Sequence, residues 1–275
     1  MKILVTGAKG MLGQDLCPIL EDEGFDVVET DVQALDITNL ENVETVLTKE
    51  KPDWVIHCAA YTNVDGAESD EETAQKINGL GSENIAKVCG KNDIGVVYIS
   101  TDYVFNGEKD GIYTPEDTPC PINVYGKTKL YGEQAVQKYC KKYYVTRTSW
   151  LYGHHGKNFV ETMISLADKP ELKVVDDQVG SPTWTVELSN AIINLIKEEA
   201  DYGIYLTCGS GYTSWYGFAK EIFSLIGKNV NLKPCDTDEF PRAAKRPRNS
   251  RMDNGNRCKN WKISLKNYID LRTDD

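Results

Sequence analysis

The chain predicts an α/β fold, a doubly wound parallel sheet with helices on both faces, followed by a smaller C-terminal α/β region. Three observations predict it. Short apolar runs of strand type alternate with amphipathic stretches of helical length over the first 150 residues. The connections are long enough for crossover helices, so the strands run parallel. A glycine loop follows the first apolar run directly.

"KILVT" is the first strand, and "MLGQDLCPILEDE" the helix after the loop, ending at Gly24. "FDVVET" is the second strand. "DITNLENVETVLTKEK" reads as a helix whose start carries Thr38 and Glu41 in capping-box spacing and which stops before Pro52. "DWVIHCAA" is the third strand, and "EETAQKINGLGSENIAKVCGKN" a long helix loosened by Gly79 and Gly81. "IGVVYIS", apolar throughout, is a fourth strand buried on both faces. Residues 125–140 form a helix, and "YYVTRTSWLYG" returns as a strand. Beyond about residue 151 the pattern is less regular. "NFVETMISLA", "ELSNAIINLIKEEA" and "SWYGFAKEIFSLIGK" are helical; "GIYLTCG" and "NVNLKP" are strand-like. We therefore expect a dinucleotide-binding domain over 1–150. A mainly substrate-binding region over 151–275 returns some elements to it.

Composition narrows the function classes. A net charge of −11 opposes bulk nucleic-acid binding, which needs a basic face. The eight cysteines include no C-x-x-C pair, so free buried thiols are expected rather than a disulfide framework or zinc site. No run approaches the ~20 apolar residues of a membrane span. "MKILVTGAKG" breaks into glycines too early for a signal-peptide core. A cytoplasmic enzyme is expected.

"KILVTGAKGMLGQ" places Gly7, Gly10 and Gly13 between the first strand and the first helix. Glycines here permit a positive φ and a close backbone approach to a pyrophosphate, with the helix N-terminus facing the phosphates. The spacing is one residue wider than the common dinucleotide fingerprint. The loop points to a Rossmann-type domain. Asp31, 18 residues beyond Gly13, stands where an acid binds the adenosine ribose hydroxyls and repels a 2′-phosphate, which favours NADH. Lys9 could offset that repulsion, so NADPH stays open. Asp36 and Ile37 are expected under the adenine.

Tyr125 and Lys129 share a helix face in "VYGKTKLYGEQA". A phenol of pKa near ~10 is a reluctant acid at neutral pH, and an ammonium one turn away is the natural means of lowering it. Ser100 and Thr101, closing "YISTDYVF", supply hydroxyls at the carboxyl edge of the sheet, where such folds bind ligands. Tyr216 and Lys220 repeat the spacing, but Ile192 stands at the equivalent upstream position and the pair lies outside the alternating series. Tyr125 and Lys129 are the working pair.

The glycine loop, "STDYVF", "YGKTKLYGE" and "RTSWLYG" together resemble the extended short-chain dehydrogenase/reductase family acting on nucleotide sugars. Three further blocks, "AAYTNVDGAE", "VVDDQVGSPTWTVEL" and "RPRNSRMD", resemble its dTDP-4-dehydrorhamnose reductase branch in the same order, over nearly the whole chain. The resemblance implies NAD(P)H-dependent reduction of the C4 keto group of dTDP-4-dehydro-β-L-rhamnose, for cell-surface polysaccharide. It implies Thr101, Tyr125 and Lys129 as catalytic. Gly10, Met11, Leu12, Asp31, Asp36, Ile37, Ala59, Ala60 and Tyr61 would line the cofactor, with Asp102, Tyr103 and Trp150 meeting the sugar. Met11 replaces the family's usual glutamine. Some members use C-terminal carboxylates to hold Mg²⁺ at a dimer interface. Asp15 and Glu187 match two such ligands, but "NYIDLRTDD" offers no third, so no metal site is assigned and monomer and homodimer stay open. His57, His154 and His155 are expected to be structural or exposed. The basic island "RAAKRPRNSR" is read as neutralising a diphosphate rather than as a solvated turn. Two alternatives remain. One is another nucleotide-sugar epimerase or reductase of this fold. The other is a non-catalytic regulatory subunit of the methionine adenosyltransferase type, which an intact Thr101, Tyr125 and Lys129 set opposes.

Overall fold

The computed structural model describes residues 1–272; the final residues of the 151–275 region and of "NYIDLRTDD" lie outside the described residues. β1 (Lys2–Thr6) leads through the glycine loop into α1 (Met11–Asp22), and β2 (Asp26–Thr30) into α2 (Leu40–Glu50). β3 (Trp54–His57) is followed by two single turns, α3 (Val64–Ala67) and α4 (Glu71–Ala74), then a π-helical segment (Gln75–Gly81) and α5 (Ser82–Lys91). β4 (Gly95–Thr101), α6 (Val124–Tyr139) and β5 (Tyr143–Thr148) come next. The remainder runs through β6 (Leu151–Tyr152), α7 (Phe159–Ser165), β7 (Leu172–Val175), β8 (Val179–Gly180) and β9 (Thr183–Trp184). It continues with α8 (Thr185–Lys197), β10 (Gly203–Leu206), β11 (Thr213–Ser214), α9 (Trp215–Leu225), β12 (Leu232–Cys235) and α10 (Trp261–Asp270).

Six strands form one parallel sheet in the order β2-β1-β3-β4-β5-β10. The strands are apolar on both faces because both are covered. On one face α1 and α8 lay Leu16, Leu20, Leu188 and Ile192 against Ile3, Val5 and Ile56. On the other, Val43, Leu47, Ile85 and Val136 meet Leu4, Val55, Val96 and Val145. Chain direction across the sheet reverses between β1 and β3, so their carboxyl ends open a crevice there, where ligands bind in this class of sheet. A third cluster, with Tyr152, Trp184, Phe218, Ile222, Trp261 and Leu265, is the core of the smaller C-terminal lobe.

Several local expectations change. The loosening at Gly79 and Gly81 takes the form of the π segment, a feature common near functional sites. The cap of α2 is Asn39, whose side chain accepts from Asn42 N, and not Thr38. Thr38 is drawn away because its hydroxyl and N–H both donate to Asp36 Oδ1. The expected single strand over "YYVTRTSWLYG" breaks between β5 and β6, where Trp150 adopts a left-handed backbone at φ 48°. "GIYLTCG" becomes β10, the sixth strand of the main sheet, while "NVNLKP" contributes β12, which pairs with β7.

Candidate active site

The crevice is a cleft of about 1020 Å³ running from the glycine loop to the C-terminal lobe. Gly7 holds φ +65°, and a Cβ there would stand 2.8 Å from the Ala59 backbone. Only glycine lets the loop lie this close to the end of β3. A Cβ on Gly13 would stand 2.5 Å from the Ala8 carbonyl oxygen, so this position sets how tightly α1 packs on its own loop. No side chain caps α1. Its first N–H groups and its positive dipole end are left for an anion at the loop. Met11, Leu12, Asp31, Asp36, Ile37, Ala59 and Ala60 all line the same cleft. Asp31 Oδ1 accepts from Val32 N at 2.8 Å. The glycine cradle, the uncapped helix and the acid after β2 fit a dinucleotide.

At the other end stand Thr101, Asp102, Tyr103, Tyr125, Lys129 and Trp150. Thr101 ends β4, and its hydroxyl donates to Asp102 Oδ1 at 3.0 Å and accepts from Tyr103 N at 3.2 Å. α6 is capped by Asn123, whose side chain accepts from Gly126 N at 2.7 Å, and this sets Tyr125 in the first turn. Tyr103 packs edge-on to Tyr125 with centroids 5.7 Å apart. Lys129 is 3% exposed, with Nζ 4.3 Å above the Tyr98 ring.

The electrostatics differ from the expectation. Burial pushes the Tyr125 phenol up, the Asp102 carboxylate adds to this, and the hydrogen-bonded Thr101 hydroxyl pulls it down. Lys129 does not lower it. Instead, burial lowers the Lys129 ammonium to about 8, although Glu133, one turn further along α6, supports its charge. Asp102 is raised to about 6 by burial, against hydrogen bonds from Ser250 and Thr101. Desolvation penalises every charged form, and for Tyr125, Lys129 and Asp102 alike it is the largest contribution.

The "RmlD substrate binding domain" family profile matches residues 1–271 of this chain. A dTDP-4-dehydrorhamnose reductase structure from Clostridium acetobutylicum is 47% identical and superposes with a TM-score of 0.96, covering 98% of this chain and 99% of its own. The chain belongs to the dTDP-4-dehydrorhamnose reductase family. The Bacillus anthracis member, solved in complex with NADP, is 40% identical with a TM-score of 0.94, covering 98% and 99% of the two chains. The curated dTDP-4-dehydrorhamnose reductase of Aggregatibacter actinomycetemcomitans is 37% identical over 97% of each chain.

The three blocks typical of dTDP-4-dehydrorhamnose reductases now have structural addresses. Asp65 of the first pairs bidentately with Arg246 of the third, at 2.6 and 2.9 Å. The guanidinium of Arg246 is thus spent on Asp65, and Arg251 bonds to Asn249 and the Asp110 carbonyl. The basic island is in part an internal lattice of bonds and not a free anion site. Tyr61 is absent from the lining. Its backbone N–H and C=O are both taken by Asn78, and its ring joins Ala67, Ala74 and Val124. Asp15 accepts from Thr185 and faces His155 Nε2 at 3.4 Å, while Glu187 pairs with Lys259. Among the described residues no group of three or more His, Cys, Asp or Glu is arranged to hold a metal ion. His57 is buried between Thr6 and Ser82, with its pKa lowered to about 3 by desolvation, and His154 stacks on Tyr268.

Sequence reasoning missed Cys58, Thr73, Lys76, Ser149 and Lys157 in the lining. Cys58 and Ser149 each adjoin the end of a strand, a signal that could have found them. Lys76 is brought in by the π segment, and spacing gave no sign of it.

Proposed function

We propose that the protein reduces the C4 keto group of dTDP-4-dehydro-β-L-rhamnose to give dTDP-L-rhamnose, with NADPH or NADH, in the cytoplasm. The observation that supports this most is one cleft holding both the glycine cradle and the Thr101, Tyr125 and Lys129 side chains. When bound, the reduced dinucleotide supplies a hydride. Everything else is done by the chain. Thr101 hydrogen-bonds the carbonyl oxygen, and Tyr125 delivers its proton as that oxygen becomes an alkoxide. A phenol held high is fully protonated at neutral pH, which is the form reduction needs. An alkoxide is a far stronger base than a phenolate, so the transfer runs downhill without a lowered ground-state pKa. Lys129, one turn beyond Tyr125 on α6, is the cation that would hold the nicotinamide ribose. Asp102 and Trp150 bound the sugar.

The test is consumption of NAD(P)H with freshly made dTDP-4-keto-6-deoxy sugar by wild type and Tyr125→Phe. We expect a loss of at least ~100-fold in turnover, the scale of a general acid. Equal rates would remove Tyr125 from the mechanism.

A further inference from the structure

Trp150 lies against the cleft in a backbone conformation that bulky residues rarely adopt, at φ 48°. Something outside the strand must hold it there. One face of its indole is covered by Trp215, with ring centroids 3.6 Å apart and planes within 7°. Trp215 opens α9, and its own position is fixed from three directions. Its Nε1 donates to Gln178 Oε1 at 3.2 Å. Phe159 packs behind it at 4.6 Å, tying it to the core of the C-terminal lobe. Ser214 caps α9 through Gly217 N and donates in turn to Asp176. The edge of the Trp150 ring lies over Gly180, where a Cβ would stand 2.7 Å from Cε2 and 2.8 Å from Nε1. Asp176, Gln178 and Gly180 all belong to "VVDDQVGSPTWTVEL". That block therefore touches both stacked rings, Gln178 holding Trp215 and Gly180 lying against Trp150.

We propose that Trp215 is a positioning residue for the nucleotide sugar: braced by Gln178 and Phe159, it holds the Trp150 indole at a fixed angle against the sugar. This rests on the reaction proposed above. Trp215 does not itself line the cleft, so it acts through Trp150. A flat ring with one face occupied and one edge on a glycine backbone cannot turn away when the cleft is empty. Binding then costs no reordering of that side chain.

The experiment compares wild type, Trp215→Ala, Trp215→Phe and Gly180→Ala, with thermal unfolding as the control for folding. Two indoles stacked this closely give an exciton couplet in circular dichroism, which reports the stack without substrate. We expect Trp215→Ala to abolish the couplet and raise KM for the 4-keto sugar nucleotide about five- to tenfold, the scale of one aromatic contact. Its kcat and the KM for NADPH should stay within about twofold. Trp215→Phe should recover most of the loss in KM, and Gly180→Ala should reproduce it. A lost couplet with unchanged KM, or an equal rise in KM for NADPH, would overturn the proposal. A wild type that turns over no 4-keto sugar nucleotide sinks the reaction instead. The brace is then decided by titration with dTDP-glucose: weaker binding in Trp215→Ala supports it, equal binding overturns it.

Discussion

Lys129 shows how far burial can outweigh a neighbour. Its ammonium has the Tyr98 ring beneath it and Glu133 one turn away, yet desolvation still brings it down to about 8. A lysine depressed below its ordinary 10.5 binds fewer protons folded than unfolded between those two values, so folding stability rises with pH across that window. Below pH 8 both states are protonated and the full cost of burying the charge is present. Lys129→Met, measured without dinucleotide, should therefore unfold at a higher temperature than wild type at pH 7, by about 1–3 kcal/mol of stability. That advantage should shrink at pH 9.5, while turnover is lost throughout. A variant less stable than wild type at pH 7 would show that the charge is well compensated. The pairing of Tyr125 with Lys129 was legible from i and i+4 spacing only together with Ser100 and Thr101 upstream, since Tyr216 and Lys220 share the spacing. The direction of the phenol's shift was not. It depends on Asp102 and on burial among residues brought together from distant strands.

Among the elements, the glycine loop was the most legible, since positive φ and close approach leave few residue choices. Gly13 makes the reason concrete. A methyl at 2.5 Å from the Ala8 carbonyl and 2.6 Å from the Ala8 Cα must push α1 away from backbone that cannot yield like a side chain. Gly13→Ala should cost about 1–3 kcal/mol of stability. It should also weaken NADPH binding by roughly tenfold, the equivalent of 1.4 kcal/mol. Thermal unfolding checks the first and calorimetric titration the second, and an unchanged affinity would contradict the part assigned to the loop. Element boundaries were less legible. Thr38 and Asn39 are both good caps in isolation, and the choice fell to Asn39 because Asp36 captures the threonine hydroxyl. The break at Trp150 left no trace in a run of strand-forming residues, and the ring stacked on it, Trp215, lies 65 positions further along the chain.

At the scale of the molecule, two of the sequence blocks that mark this family meet across a long stretch of chain. Asp65 and Arg246, 181 residues apart, join the segment after β3 to the basic island beside Tyr103. Read along the chain, Arg246 was one of five cations between residues 242 and 251. Only the fold shows that its charge is answered by a carboxylate. The sheet order and the crevice at its switch point form a cleft with the glycine loop at one end and Thr101, Tyr125 and Lys129 at the other. Whether that cleft delivers an external hydride to a sugar carbon is decided most directly by isotope. The protein is supplied with dTDP-4-keto-6-deoxy-L-sugar and NADPH deuterated at the transferring position, and the product is read by nuclear magnetic resonance. One deuterium at C4 of the sugar, matched mole for mole by oxidised dinucleotide, is the expected result. Protium at C4, or sugar turnover without net oxidation of NADPH, would contradict it.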